Sequence, residues 1–398
     1  MTVLWQLDLT AVCTLAWGLD TTYSTGSTSV SEYGTDHQYK YTITGLAPGT
    51  RYYYRITQDI NTYSGSFLAA PATDATSVKF LVYGDTRTNV ADHNSVCSRI
   101  VSTFTADPNY QSVLLHMGDW NYTDSETDWA DQYFSRAYSP ILQMLSGIPV
   151  HGCIGNHEGS ADGFKKYWPY PFQAETYWSF DYGPAHIAIV DQYTDYTSGS
   201  AQLNWLQNDL QTSTKHWKFI VLHEPGWSAA GGGHPNNTDV QTYIQPLCEQ
   251  YGVQFVLAGH NHYYARAIVN GVQHITAGGG GAPLTDPATG QSNVVFALET
   301  LQFCKINING SRLNFESVKP DGTVFDSFQL TLCDNGISPA DYTGPEGIPD
   351  CKVDYYDLAV LTAGWLNCAD DLCTHLVNFN DFALFAAHWL DCTDASCN

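Results

Sequence analysis

Between residues 78 and 262 short apolar runs alternate with helical stretches, and five of those runs end on residues that can hold a metal ion. Val78–Tyr83 leads into Gly84-Asp85, and Val113–Met117 into Gly118-Asp119-Trp120-Asn121-Tyr122. Ile148–Ile154 leads into Gly155-Asn156-His157-Glu158, Phe219–Leu222 into His223, and Val253–Ala258 into Gly259-His260-Asn261-His262. Apolar residues at helical spacing lie between them: Val96, Ile100, Val101 and Phe104; Ile141, Leu142 and Leu145; Leu203, Leu206 and Leu210; Val240, Ile244 and Leu247. Such alternation predicts an α/β domain with largely parallel strands. Open sheets of that kind bind ligands outside the carboxyl ends of their strands. Five such ends would bring Asp85, Asp119, Tyr122, Asn156, His223, His260 and His262 into one crevice. The last pair is a weak signal alone. On a strand two imidazoles two apart face one side; in a loop they splay toward two points.

The flanks read differently. Residues 1–72 form short strands broken by turn residues, which predicts a β-sandwich. Pro71–Thr76 is a polar linker, and 267–332 returns to β character with Gly278–Gly281 as a flexible turn. Residues 338–398 carry a repeat with a period of 24, Asp357–Cys368 against Asp381–Cys392, each copy an amphipathic helix. The expected domains are therefore 1–72, 76–333 and 338–398.

Charge narrows the partners. With 16 Lys and Arg against 40 Asp and Glu the net charge is −24, which leaves little material for a duplex nucleic-acid footprint. No apolar run is long enough to span a membrane. Met1–Trp5 already reads as a strand, so any targeting segment would lie upstream. A surface rich in Ser, Thr, Asn, Gln and Tyr suits a secreted, extracellular or periplasmic protein. Of eleven Cys, Cys13, Cys97, Cys153, Cys248 and Cys304 read as buried thiols. Cys333, Cys351, Cys368, Cys373, Cys392 and Cys397 crowd the tail in even number, which predicts disulfides.

Taken together, Gly-Asp, Gly-Asp-x-x-Tyr, Gly-Asn-His-Glu, His and Gly-His-x-His resemble the dinuclear metallophosphoesterases, and the Tyr122 position resembles their purple acid phosphatase branch. The resemblance implies a four-layer α/β/β/α sandwich. It assigns Asp85, Asp119, Tyr122 and His262 to metal 1, and Asp119, Asn156, His223 and His260 to metal 2, with Asp119 as the bridge. A phenolate at neutral pH needs a strong Lewis acid, since free tyrosine titrates near ~10, so Fe(III) suits metal 1. Imidazoles and an amide suit Fe(II), Zn or Mn at metal 2. Phosphomonoester hydrolysis by a metal-bound hydroxide follows, as in an acid phosphatase; phosphodiester or nucleotide hydrolysis is the alternative on the same site. His157 and His234 are candidates to contact or protonate the substrate, and Arg87 is a bidentate phosphate donor or a salt-bridge partner.

Two further resemblances flank the site. Gly45-Leu46-Ala47-Pro48-Gly49-Thr50-Arg51-Tyr52 resembles the tyrosine-corner region of fibronectin type III-like modules, short of a first strand. Either the N-terminus is truncated or an open sheet edge receives another chain. The 24-residue repeat resembles a type I dockerin, with Asp354, Asp357, Asn378 and Asp381 at calcium-ligand positions but Cys351 and His375 where the loop glycines belong. That departure argues against calcium and for disulfide staples. Both flanks leave open a structural or assembly role through contacts with other chains.

Overall fold

The computed structural model describes residues 1–34, 36–332, 353, 355–364 and 379–389. It divides into two compact units, Met1–Asn307 with Glu316–Ser327, and Ile308–Phe315 with Phe328–Asn398.

The first unit opens with β1 (Thr2–Gln6), β2 (Cys13–Gly18), β3 (Gly26–Val30), β4 (Gln38–Thr42), β5 (Arg51–Gln58) and β6 (Asn61–Leu68). β1 pairs with β4, and the other four form a sheet in the order β3-β2-β5-β6. Strand alternation sends Cys13, Leu15, Tyr52 and Ile56 inward, where they pack with Val3, Tyr39 and Phe67. The Tyr52 hydroxyl accepts the Ala47 N–H at 3.0 Å, closing the turn before β5. β3 is a strand without an apolar pattern: Gly-Ser-Thr-Ser-Val takes its place by pairing with β2. This sandwich sits on the rest of its unit through Tyr54 Oη to Ser146 O (3.0 Å) and Gln111 Nε2 to Ser66 O (3.1 Å).

Next come β7 (Ser77–Tyr83), α1 (Val90–Ala106), β8 (Leu114–His116), α2 (Glu126–Asp128), α3 (Ser139–Gly147), β9 (Val150–Gly152) and α4 (Asp162–Tyr167). They are followed by β10 (Trp178–Tyr182), β11 (Ala185–Ile189), α5 (Ala201–Thr212), β12 (Trp217–Val221), α6 (Gln245–Tyr251) and β13 (Phe255–Ala258). β14 (Tyr264–Val269), β15 (Val272–Ala277), β16 (Val294–Leu298), β17 (Phe303–Asn309), β18 (Arg312–Val318) and β19 (Val324–Thr331) complete the β structure. One sheet sets β7, β8 and β9 in parallel. The other runs β10-β11-β12-β13-β15-β14-β16, with β11, β12, β13 and β15 parallel.

The central strands of the two sheets, β7, β8, β11, β12, β13 and β15, are buried on both faces. From β7, Leu81 and Tyr83 pack on Val96, Cys97, Ile100 and Phe104 of α1. Phe80, one residue over, meets Phe219 of β12 edge-on at 5.4 Å. On the far side Ala188, Ile220 and Val256 pack on Leu206 and Leu210 of α5 and Leu247 of α6. The layers are therefore helix, sheet, sheet, helix, the expected four-layer α/β arrangement. Full burial of side chains of this size contributes about 1.5–3 kcal/mol each, which is why both cores are built from uninterrupted apolar runs.

Gly278–Gly281 is a buried brace, not a flexible turn. Gly280 donates its N–H to Gly84 O at 2.9 Å and Ala282 to Asp85 O at 2.8 Å. A Cβ on Gly280 would collide with that same Gly84 carbonyl, so glycine is what lets the segment lie against the first ligand loop. Cys13, Cys97, Cys153, Cys248 and Cys304 are buried free thiols, as expected.

In the second unit α7 (Tyr355–Gly364) and α8 (Phe379–Ala387) stand at both copies of the repeat, and Val353, Leu361 and Phe385 are buried together. The six tail cysteines, and Asp354 and Asn378 of the calcium assignment, lie outside the described residues. Among the described residues no helix is long and apolar enough to cross a membrane.

Candidate metal centre

Every strand of the inner layers that carries a candidate ligand ends at the same edge of the two sheets. β7 delivers Asp85, β8 Asp119, β9 Asn156, β12 His223, and β13 both His260 and His262. Asp85, Asp119 and His260 have positive φ (58°, 55° and 66°), which non-glycine residues adopt at a cost of about 1–3 kcal/mol. Close approach also shapes the backbone. A Cβ at Gly155 would strike Asp119 Oδ1, and one at Gly259 would strike Asp85 Oδ2.

One group of donors is tight. His223 Nε2 lies 3.2 Å from Asn156 Oδ1 and 3.3 Å from Asp119 Oδ1. His260 Nδ1 lies 3.0 Å from Asn156 Oδ1 and 3.2 Å from His223 Nε2. These separations match the polyhedron edges of about 3.0–3.4 Å that ~2.1 Å metal–ligand bonds would set. The ring of His223 is oriented by Met117 O, 2.7 Å from Nδ1. A carbonyl only accepts, which assigns the proton to Nδ1 and leaves the Nε2 lone pair facing two acceptor oxygens. Lone pairs converging without a donor between them fit a cation.

The second group holds Asp85, Asp119 and His262, whose ligand atoms all lie within 4.8 Å of one another. His262 gives Nδ1–H to Pro283 O at 2.8 Å and turns Nε2 to within 3.7 Å of Asp85 Oδ1. Asp119 belongs to both groups: its Oδ1 lies 3.3 Å from His223 Nε2 and its carboxylate within 4.8 Å of the Asp85 and His262 ligand atoms, while Oδ2 accepts from Arg87 Nε at 3.2 Å. Arg87 also reaches His262 Nε2 through Nη2 at 3.3 Å, so the salt-bridge reading of this residue is realised with its donors inside the centre.

Electrostatics separate the two buried carboxylates. Burial, reinforced by the Asp119 charge, pushes Asp85 well above the usual carboxylate range. At Asp119 burial pushes the same way, but His223, His157 and Arg87 outweigh it and hold the group below that range. Burial, then the neighbouring His223 and His234, drives His260 down to about 2, and burial with Arg87 takes His262 to about 4. Both imidazoles are thus neutral and able to donate a lone pair.

The remaining candidates line the mouth. His157 donates Nδ1–H to Tyr122 O at 2.7 Å and places Nε2 3.9 Å from Asp119 Oδ2. The His234 ring lies 4.2 Å from that of His260. Tyr122 stands apart from the buried ligands, 51% exposed, with its ring 5.0 Å from His157 and 5.7 Å from the Arg87 guanidinium. Two residues without an assigned role hold the His234 loop. Asn261 Nδ2 donates to His234 O (3.1 Å), and Tyr263 Oη accepts the Gly231 N–H (3.1 Å). They alternate with His260 and His262, a spacing visible in the sequence.

Residues 78–264 match the family model of the calcineurin-like phosphoesterases. Similar proteins include probable purple acid phosphatase 20 of Arabidopsis thaliana, 26% identical over 250 residues, 56% of this chain and 53% of that protein. Purple acid phosphatase 23 of the same plant is 26% identical over 60% of this chain and 61% of its own length. A nucleotide pyrophosphatase/phosphodiesterase of Hordeum vulgare is 25% identical over 56% of this chain and 72% of its own. The chain thus spans little more than half the length of the first two. By fold it is similar to purple acid phosphatase PPD1 from yellow lupin seeds, TM-score 0.70 at 18% identity, with 83% of this chain and 72% of that one covered. It is also similar to PhoD, TM-score 0.62 at 14% identity, covering 82% and 84%.

Proposed function

We propose, from the premise that residues 78–264 carry a calcineurin-like metallophosphoesterase domain, that this chain hydrolyses phosphomonoesters at a two-metal centre. The observation that carries the reading is Asp119, whose carboxylate lies 3.3 Å from His223 Nε2 through Oδ1 and also within 4.8 Å of the ligand atoms of Asp85 and His262. Asp119, Asn156, His223 and His260 would hold one ion, and Asp85, Asp119 and His262 the other, with Tyr122 as its fourth candidate. When bound, two such cations polarise the phosphoryl oxygens and lower the pKa of water between them.

The chain's own groups do the rest. The Asp85 and Asp119 carboxylates offset the cations' charge, leaving a centre that attracts a phosphate dianion. Arg87 is within reach of the same space and offers a planar pair of donors to phosphoryl oxygens. His157 and His234 flank the opening and are placed to donate a proton to the departing alkoxide. Fe(III) at the Tyr122 side with Fe(II), Zn or Mn at the other suits these ligands.

The barley relative supports a second reading, in which the same centre acts on a diester or a nucleotide. Parallel rates on nitrophenyl phosphate and bis(nitrophenyl) phosphate separate the two; faster diester turnover would overturn the monoesterase assignment. A visible absorption band lost in Tyr122→Phe would support the phenolate, and an unchanged band would remove Tyr122 from the ligand set. We further propose secretion, a fibronectin type III-like module over 1–72, a catalytic domain over 76–333 and a dockerin-like module over 338–398.

A further inference from the structure

Glu158 belongs to neither donor group, yet it is 0% exposed and lies directly beneath the centre. Its Oε2 accepts the N–H of Asp119 at 3.0 Å and of Gly155 at 2.6 Å. Its Oε1 accepts the N–H of Trp120 at 2.9 Å and of Asn121 at 3.4 Å. Three of those donors come from the loop after β8, and the fourth from the turn that carries Asn156. In return the His157 N–H donates to Asp119 Oδ1 at 3.1 Å. The two loops are laced together in both directions.

We infer that Glu158 is a positioning residue that fixes the bridging carboxylate of Asp119 against the amide of Asn156. The inference rests on the two-metal reading of the site. Asp119 sits in the left-handed region at φ 55°, a conformation that must be held from outside. The carboxylate of Glu158 grips the N–H groups of Asp119 and its next two neighbours, which orients the peptide planes on either side of the Asp119 side chain. The residue type follows from the donors. The two oxygens of a carboxyl group offer lone pairs to all four N–H groups at once. A glutamine would turn its own NH2 against two of them. An aspartate keeps the charge but is one carbon shorter and cannot span both loops.

The test is Mn(II) titration of the metal-stripped full chain by calorimetry, with thermal melts in EDTA and the electron paramagnetic resonance of the loaded protein. Wild type, E158Q and D326N are compared. Asp326 is also a buried carboxylate, paired with Arg266 at 2.8 Å, so its loss reports destabilisation alone. The expected result is Mn(II) binding weakened roughly 10–100-fold in E158Q, the effect of losing an outer partner of a metal ligand. The exchange-coupled two-manganese signal should be lost with it. D326N should melt earlier with unchanged affinity and coupling. Wild-type affinity and coupling in E158Q would overturn the inference. If E158Q does not fold, E158D takes its place with the same two outcomes. A wild type that binds no Mn(II) would instead refute the two-metal reading beneath it.

Discussion

The two sheets contribute unlike chemistry to one centre. β7, β8 and β9 supply Asp85, Asp119 and Asn156, all oxygen donors and two of them carboxylates. β12 and β13 supply His223, His260 and His262, all imidazoles, with burial and neighbouring groups holding the last two neutral. Carboxylate and amide oxygens are therefore concentrated on one wall and imidazole nitrogens on the other. Each proposed metal position would draw on both walls, Asp85 and Asp119 with His262 at one and Asp119 and Asn156 with His223 and His260 at the other, and Asp119 is where the walls meet.

Removing the meeting point should do the most damage. Asp119→Ala is expected to reduce bound metal from two ions per chain toward none and to cut turnover by roughly 10⁴-fold or more, since both halves of the clamp depend on it; elemental analysis with single-turnover rates checks this. Damage to one wall should be smaller and divisible. His223→Ala should leave one ion per chain in the Asp85 and His262 group. Loss of both ions would show that the His223 and His260 group does not hold a separate site.

Arg87 sits between the walls, touching Asp119 and His262. Arg87→Lys keeps the charge and loses the planar fork, so KM should rise about tenfold with little change in kcat. An equal fall in kcat would place Arg87 on the transition state instead.

The smallest effect tests the imidazole wall away from the centre. His186 on β11 contacts Asp181 at 2.8 Å through Nδ1 and Asp209 at 2.9 Å through Nε2. Two carboxylates accept from both nitrogens only if the ring is an imidazolium. Burial pulls its pKa down, but bonding to Asp209 and Asp181 prevails and raises it. A raised folded-state pKa stabilises fully below the unfolded value near 6.5 and is lost as pH climbs through the folded one. Wild type should therefore lose roughly 2–4 °C of its melting advantage over His186→Gln as pH rises from about 6 to 9. A pH-independent gap would contradict the charged assignment.

Legibility in the sequence followed the same division. All five strand ends were readable because buried parallel strands leave unbroken apolar runs, and Gly before Asp85, Asp119, Asn156 and His260 marked where the chain turns sharply. Their convergence needed only the rule that ligands gather at carboxyl ends. Less was readable where backbone contacts decide. β3 is polar and exists through its partner. β10 lies antiparallel at a sheet edge, and its alternation of Trp178, Phe180 and Tyr182 is the sequence signal for it. Gly278–Gly281 looked like a turn because glycine permits one, whereas here its missing Cβ serves packing. Tyr122 is legible as part of the loop that carries Asp119, whereas its exposure depends on packing the sequence does not show.

The most direct test of the centre is anomalous diffraction from crystals loaded with Mn(II) or Zn(II). Two peaks about 3.5–4 Å apart are expected, with Asp119 between them, His260 on one and His262 on the other. A single peak, or both histidines on one ion, would contradict that arrangement.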